Sequence, residues 1–228
     1  MGNDTPAKAA SMFDDLARNW DTDYRIERAR AVADEIRIWV PIGGRARMLE
    51  FGSGTGLVGL NLAGDVGSLT FIDSSSGMRE VLREKIRLLD LGRKCVVEDD
   101  LFSAELELGG YECIVGSMAL HHTADVDGAA RRFFDLLAAG GRVCIVDLTS
   151  DDGAYHRNEP DFDGHHGFDP ERLSAQFGGI GFKERYRTVF FSDTRMIAGR
   201  YVDYSLFILV MEREGGDGFR TLEYSRAK

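Results

Sequence analysis

Apolar residues follow two different spacings along the chain, and the two spacings alternate. Between positions 24 and 40 they recur every three or four residues, which predicts an amphipathic helix that ends at Pro41. Further on, short apolar runs alternate with segments of helical spacing. The runs predicted to be strands are 48–51, 69–72, 94–97, 111–117 and 142–147. Strands that alternate with helices are typical of a parallel sheet with helices packed on its faces.

The pattern changes in the last third of the chain. Residues 148–168 are polar and rich in Asp, Gly and His, without a regular spacing. Asp169 as a cap and Pro170 in the first helical position predict a helix directly after them. The final predicted strands are 183–191 and 204–211, with 192–203 as their connection. A loop as long as 148–168 inside a compact domain is usually functional or disordered, and we expect it to contribute to a site.

A glycine-rich turn follows the first predicted strand. Its candidate ligand-binding residues are Glu50, Gly52, Ser53, Gly54 and Gly56. Glycine permits positive φ and lets a ligand approach the main chain closely, and the helix that follows presents free N–H groups. The turn therefore predicts a cofactor site at the carboxyl end of this strand.

A second acidic residue supports this site. Asp73 ends the second predicted strand, nineteen positions after Gly54, where a strand-helix-strand unit places an acceptor for ribose hydroxyls. Gly54, Gly56 and Gly59 also match the dinucleotide fingerprint, so two cofactors fit the spacing. Glu50 separates them, because its carboxylate would repel a pyrophosphate and attract the ammonium group of S-adenosylmethionine (SAM). We therefore expect SAM.

The turn and the segment around Asp73 resemble motif I and the following acidic motif of class I SAM-dependent methyltransferases. The likeness is to the small-molecule branch related to the ubiquinone and menaquinone biosynthesis methyltransferases, and it runs from about Phe13 to Met211. Glu50 and Ser53 stand where relatives often have Asp and Cys. The resemblance implies an α/β, Rossmann-like fold with a mostly parallel seven-stranded sheet, an antiparallel C-terminal strand pair and helices on both faces.

The same resemblance implies cofactor contacts outside the turn. Met78 matches the residue that packs against adenine, and Asp100 with Leu101 matches an acid-then-apolar pair that meets the adenine ring and its amino group. Trp20 ends a predicted helix over 7–20 that matches a lid over the cofactor, although a helix that only covers the sheet is an equal alternative. The other implied cofactor residues are Ser74, Ser117 and His121.

The acceptor is expected between the edge of the fifth strand and the long loop. Asp147 ends that strand, and His156 and His165 lie in the loop. An unperturbed histidine titrates near pH 6.5 and can accept a proton at neutral pH, so these three residues are the catalytic candidates. The alternative is that the histidines hold the loop and that the acceptor needs no base.

Adjacent histidines invite a metal hypothesis. Four of the five histidines form two neighbouring pairs, His121 with His122 and His165 with His166. Neighbouring side chains diverge on a helix or a strand, so such a pair rarely supplies two ligands to one ion. We therefore expect no metal.

Composition limits the partners. The chain has 28 basic and 38 acidic residues, a net charge of −10, and an acidic surface repels phosphate backbones. Three cysteines lie in separate apolar runs, as reduced thiols do, and no signal-like or membrane-length apolar segment is present. We expect a cytoplasmic monomer or homodimer with a small-molecule substrate, binding neither nucleic acid nor membrane.

These patterns predict one methyltransferase domain over 1–228. Its predicted parts are the lid helix in 1–23, the cofactor-binding core in 45–150, and the acceptor-side loop with the C-terminal strands in 151–228. The predicted reaction transfers a methyl group from SAM to a small molecule by in-line displacement, which leaves S-adenosylhomocysteine. An NAD-dependent oxidoreductase and a catalytically silent SAM-binding domain are the alternatives. The acceptor and its reacting atom, O, N, C or S, stay open.

Overall fold

The computed structural model describes residues 12–40, 42–103, 105–159 and 162–215. Across these residues one seven-stranded sheet forms the middle of the molecule. Its strands are β1 Arg47–Phe51, β2 Ser68–Ile72, β3 Cys95–Glu98, β4 Tyr111–Ser117, β5 Leu137–Leu148, β6 Phe182–Ile197 and β7 Arg200–Arg213. Their order is β3-β2-β1-β4-β5-β7-β6, and β7 runs in the direction opposite to the other six. The predicted fold class is confirmed.

Five helices of the described chain pack on this sheet, and polar side chains cap most of their first turns. The helices are α1 Asp23–Trp39, α2 Leu57–Leu62, α3 Ser76–Leu88, α4 Val126–Leu136 and α5 Pro170–Gly178. Thr22, Ser75, Asp125 and Asp169 each accept a hydrogen bond from a backbone N–H of the helix that follows. Within the described ranges, none of the helices combines the length and the apolarity that a membrane crossing needs.

The core lies on both faces of the sheet. Neighbouring residues of β1 point to opposite sides, so that Met48 packs with α1, α2 and α3 while Leu49 packs with α4 and α5. Phe133 of α4 and Phe177 of α5 are fully buried in the second layer. This burial explains why the central strands read as nearly continuous apolar runs.

Two boundaries differ from the sequence prediction. The fifth strand was predicted over 142–147, but α4 ends at Leu136 and β5 begins at Leu137, which pairs with Tyr111 in the sheet. The predicted connection 192–203 is instead the outer half of the β6–β7 hairpin, which turns at Ala198 and Gly199. In this outer half Ile197 and Val202 are buried, whereas Met196 and Tyr201 are exposed.

The sheet order creates the crevice in which ligands of such folds bind. From β1 the chain passes first to β2 on one side and later to β4 on the other. Connections that leave in opposite directions open a crevice at the carboxyl ends of these strands. The predicted lid helix is helical at 12–16 and continues as a 3₁₀ turn at Ala17–Asn19 above this crevice, while its first residues, 7–11, lie outside the described residues.

Candidate functional site

A cavity of about 500 Å³ lies at the carboxyl ends of β1, β2 and β4. Eleven of the residues proposed from sequence as cofactor contacts line it. They are Trp20, Glu50, Gly52, Ser53, Gly54, Asp73, Ser74, Met78, Asp100, Leu101 and Ser117. Gly56 and His121, the other two, do not line it. The cavity has the size of a small-molecule or cofactor site.

The glycine turn needs its glycines for conformation and for space. Gly52, Gly54 and Gly56 all have positive φ, at 61°, 54° and 77°. A Cβ on Gly52 would lie 2.3 Å from Cβ of Ala119, and one on Gly56 would lie 2.4 Å from Cδ1 of Leu82. Gly56 therefore acts in packing at the start of α2, whereas Gly54 opens onto the cavity.

The Asp73 carboxylate stabilises the glycine turn through hydrogen bonds. Its carboxylate accepts hydrogen bonds from the N–H groups of Gly54 at 2.6 Å and Ser75 at 2.9 Å. Burial raises the pKa of this carboxyl group, while the two N–H bonds act in the opposite direction. Carboxylate oxygens accept more than one hydrogen bond each, so Asp73 retains acceptor capacity on its cavity side.

Glu50 lies at the floor of the cavity and is 2% exposed. It accepts a hydrogen bond from the N–H of Gly59 at 3.0 Å, and burial raises its pKa to about 8. A Cβ on Gly59 would lie 2.3 Å from a Glu50 carboxylate oxygen and 2.5 Å from the Phe71 ring. The third glycine of the fingerprint is therefore required for close packing of α2 on the sheet.

The N-terminal segment is fastened over the cavity by two acids. Asp14 accepts hydrogen bonds from the Ser75 hydroxyl at 2.6 Å and from the Gly77 N–H at 2.7 Å. The Ser75 bond and then the Gly77 bond lower the pKa of Asp14. Asp21 accepts a hydrogen bond from Thr55 and pairs with Lys85. These contacts place Trp20 beside the glycine turn.

Two arginines of α1 complete the cavity wall. Arg25 lies over the Trp20 ring, 3.8 Å from its centroid, and donates to the Trp20 carbonyl oxygen at 3.1 Å. Arg28 lines the same wall and donates to the Tyr155 hydroxyl at 3.4 Å. Burial, followed by the neighbouring Arg195, lowers the pKa of Arg25.

Histidines form the wall beyond β4. His121 is buried, and its Nδ1 lies 2.5 Å from Oδ1 of Asp147, while its backbone N–H donates to the other carboxylate oxygen at 3.1 Å. His122 faces the cavity and packs edge-on against Phe13. Burial and then His121 lower the pKa of His122 to about 2, so this ring is neutral at pH 7.

Comparison with known proteins agrees with this geometry. Residues 49–143, from β1 into β5, match a family model described as a methyltransferase domain. Over 148 residues the chain is 30% identical to the lovastatin diketide synthase lovF of Aspergillus terreus. This alignment covers 60% of the present chain and 6% of the synthase.

Two further relatives extend the methyltransferase match. An uncharacterized methyltransferase of Schizosaccharomyces pombe is 28% identical over 144 residues, 57% of this chain and 51% of that protein. The chain thus spans at most about half the length of these two curated relatives. The solved structure of geranyl diphosphate C-methyltransferase from Streptomyces coelicolor A3(2) has a TM-score of 0.69 at 12% identity, covering 83% of this chain and 80% of that one. That likeness shows a shared fold.

The three residues predicted for catalysis, Asp147, His156 and His165, do not line the cavity. Asp147 is fully buried against His121. His156 lies behind it, stacked on Phe162 at 3.7 Å between ring centroids, and burial followed by His121 lowers its pKa to about 4. The expectation that His156 titrates near neutrality is therefore wrong, because desolvation disfavours its charged form.

His165 and His121 also have positions that differ from the prediction. His165 bonds through Nε2 to the Thr123 carbonyl oxygen at 3.1 Å and through its N–H to the His121 carbonyl oxygen at 2.7 Å. These bonds hold the turn after β4 in place. His121, predicted to contact the cofactor, is directed toward Asp147, and His122 takes the cavity-facing position.

The argument against a metal was also wrong in its premise. His121 and His122 do not diverge, and their ring centroids lie 4.1 Å apart. Asp147 holds the first ring and Phe13 packs against the second, so tertiary contacts override the local backbone period. His156 approaches the same place, and one nitrogen of each of the three rings lies within 4.8 Å of the others.

Sequence reasoning missed Arg25, Arg28 and His122 as cavity residues. The three-residue step from Arg25 to Arg28 puts both on one face of α1, and this was an available signal. His122 had no such signal, because the choice between it and His121 depends on the bond from His121 to Asp147.

Proposed function

We propose that this chain binds SAM in the cavity and transfers its methyl group to a small-molecule acceptor. The observation that supports this best is the glycine turn with positive φ at Gly54, tied to the Asp73 carboxylate at the carboxyl ends of the strands. The match to a methyltransferase domain covers the same segment. The narrower likeness to ubiquinone and menaquinone methyltransferases stays a prediction.

The space above the turn suits the cofactor. A Cβ on Gly54 would point into the open region between the Trp20 indole and the Met78 sulfur, with nothing closer than 3.9 Å. In the proposed complex the Asp73 carboxylate accepts hydrogen bonds from the ribose hydroxyls, and the Glu50 carboxyl group accepts a hydrogen bond from the ammonium group. Asp100, Leu101 and Met78 are proposed to hold the adenine end, and Ser53, Ser74 and Ser117 to complete the polar lining.

The proposed chemistry is a backside displacement at the sulfonium carbon. The new bond from the acceptor atom forms as the carbon-sulfur bond breaks, and the departing sulfur keeps the electron pair. The protein contributes chiefly by holding acceptor, carbon and sulfur in line. The uncharged His122 ring lies at the cavity wall, where we place the acceptor.

The catalytic residues are reassigned in this proposal. Asp147 and His156 support the wall from behind, and His165 fixes the turn that carries His122. We place the acceptor near His122, Arg25 and Arg28, because these residues line the cavity and none of them is assigned to the cofactor. A small-molecule acceptor is supported by the relatives named diketide synthase and geranyl diphosphate C-methyltransferase, and by the net charge of −10, which disfavours nucleic acid.

Calorimetry and thermal shift with SAM, S-adenosylhomocysteine and NAD test the cofactor. At a hundred times its Kd a ligand should stabilise the folded chain by about 2.7 kcal/mol. Binding of the two SAM-type ligands without NAD is expected, and binding of NAD alone would overturn the proposal. Release of S-adenosylhomocysteine during a screen of small acceptors then separates an enzyme from a silent SAM-binding domain.

A further inference from the structure

We propose that His121, His122 and His156 form a binding site for one divalent transition-metal ion, with Zn²⁺ as the best match. The site is independent of SAM, since none of the three residues belongs to the glycine turn. Three imidazoles with one open position are a known zinc arrangement.

The first support is distance. One nitrogen from each ring lies within 4.8 Å of the other two. Two nitrogens bound to one tetrahedral zinc ion at 2.0–2.1 Å lie about 3.4 Å apart. Ring rotations that shorten the longest separation by up to about 1.4 Å are therefore needed. His121 and His122 lie in a 3₁₀ turn at Leu120–His122, and His156 lies in the loop after β5.

The second support is an unsatisfied atom. His156 is 4% exposed, and its buried Nδ1 has no hydrogen-bond partner among the described residues. A buried polar atom without a partner destabilises the folded chain. Stacking on Phe162 satisfies the ring face but leaves the nitrogen free, and a metal ion would satisfy it.

The third support is the group behind the site. The Asp147 carboxylate accepts from Nδ1 of His121, which fixes the tautomer and leaves Nε2 with a free lone pair. A carboxylate that orients a metal-bound imidazole in this way is the usual outer partner of histidine ligands. This role accounts for the full burial of Asp147, whereas a residue that contacts the acceptor would have to reach the cavity.

The fourth support is the position of the cluster beside the cavity. His122 faces the cavity, so the open coordination position would point to the acceptor side. That last orientation rests on the proposed function, whereas metal binding does not.

Metal binding can be measured without SAM or an acceptor. The chain is dialysed against a chelator and titrated with Zn²⁺ in a calorimeter and with Co²⁺ in a spectrophotometer. We expect one ion per chain and the visible absorption of a Co²⁺ ion bound by nitrogen ligands. His122→Gln and His156→Gln should each weaken Zn²⁺ binding at least 10-fold, and Asp147→Asn should weaken it 10- to 100-fold.

His166→Gln is the matched control. The ring centroids of His166 and His156 lie 5.9 Å apart, and His166 does not belong to the cluster. Unchanged Zn²⁺ affinity in both cluster variants, or the same loss in the control, would overturn the site. X-ray absorption of the Zn²⁺-loaded wild-type chain counts its imidazole ligands directly, so a misfolded variant does not decide the matter. Three imidazoles support the site and fewer than three refute it. SAM affinity measured on the same metal-free sample separates a failed metal site from a failed cofactor site.

Discussion

The carboxyl group of Glu50 is buried and has a pKa of about 8, against 4.5 in water. Between these two values the folded chain keeps a proton that the unfolded chain releases. The free energy of unfolding should therefore fall as pH rises through this window, by up to about 1.4 kcal/mol per pH unit. Urea unfolding from pH 5 to 8 measures this slope.

Glu50→Gln is the comparison for that experiment. Glutamine keeps an acceptor for the Gly59 N–H and cannot ionise, so the slope over the same window should become shallower. Superimposable profiles for the two proteins would show that Glu50 does not carry the effect.

Asp73 provides the prediction for cofactor affinity. Asp73→Ala removes the carboxylate that orders Gly54 and that we assign to the ribose. Each lost bond to a charged group is worth about 1.5–3 kcal/mol, so the Kd for SAM should rise at least 10-fold. Asp99→Ala is a matched control, since Asp99 also lines the cavity but is not assigned to the ribose. Equal affinity of Asp73→Ala and wild type in calorimetry would refute the assignment.

The N-terminal segment connects the cavity to helix α3. Gly77 lies where this segment crosses the first turn of α3, and a Cβ there would come within 2.9 Å of Cα and O of Asp14. Gly77→Ala should therefore loosen the segment. Limited proteolysis near Asp21 should then be faster than in wild type, and SAM should slow it in both proteins.

Gly64→Ala is the control for that substitution, because a Cβ at Gly64 meets nothing within 4 Å. Its cleavage rate should equal that of wild type. If Gly77→Ala is cut no faster than Gly64→Ala, or if SAM protects neither, the segment covers the sheet and does not act as a lid.

The β6–β7 hairpin supports the loop after β5. Arg195 on β6 donates to the Tyr155 hydroxyl at 3.0 Å, and Arg28 on α1 approaches the same oxygen. The hydroxyls of Tyr24 and Tyr204 are hydrogen-bonded beside them. The long hairpin thus links α1 to the loop that carries His156, which gives a structural reason for the length of β6 and β7.

The molecule as a whole is expected to unfold in one step, as a single domain. β7 pairs with β5 from Arg142 with Glu212 to Leu148 with Leu206, and Trp39 of α1 stacks on Tyr186 of β6 at 3.4 Å between ring centroids. These contacts join the cofactor half to the C-terminal strands, so neither half should unfold alone.

A Trp20→Phe variant tests this cooperativity, because it leaves Trp39 as the single tryptophan. Its fluorescence then reports the contact between α1 and β6, while circular dichroism reports all helices and strands. Coincident urea transitions are expected. Two separated transitions would indicate that 151–228 is a folding unit of its own.

Local sequence signals determined much of the fold and the cofactor side of the site. Glu50, the glycines and Asp73 lie within one strand-helix-strand unit, where spacing along the chain fixes position in space. The cap at Asp169 was also predicted, because a cap bonds to N–H groups two or three residues away. The positions of β1 to β4 also followed from short apolar runs.

Only the tertiary structure decided the acceptor side. His121 and His156 are 35 positions apart, and their approach depends on the buried bond of His121 to Asp147 and on the path of the long loop. The low pKa of His156 comes from desolvation, which no sequence spacing reports. Periodicity describes which face of one element a residue occupies, whereas these contacts join side chains of separate segments, so the histidine cluster exists only after the sheet and the loop have packed together.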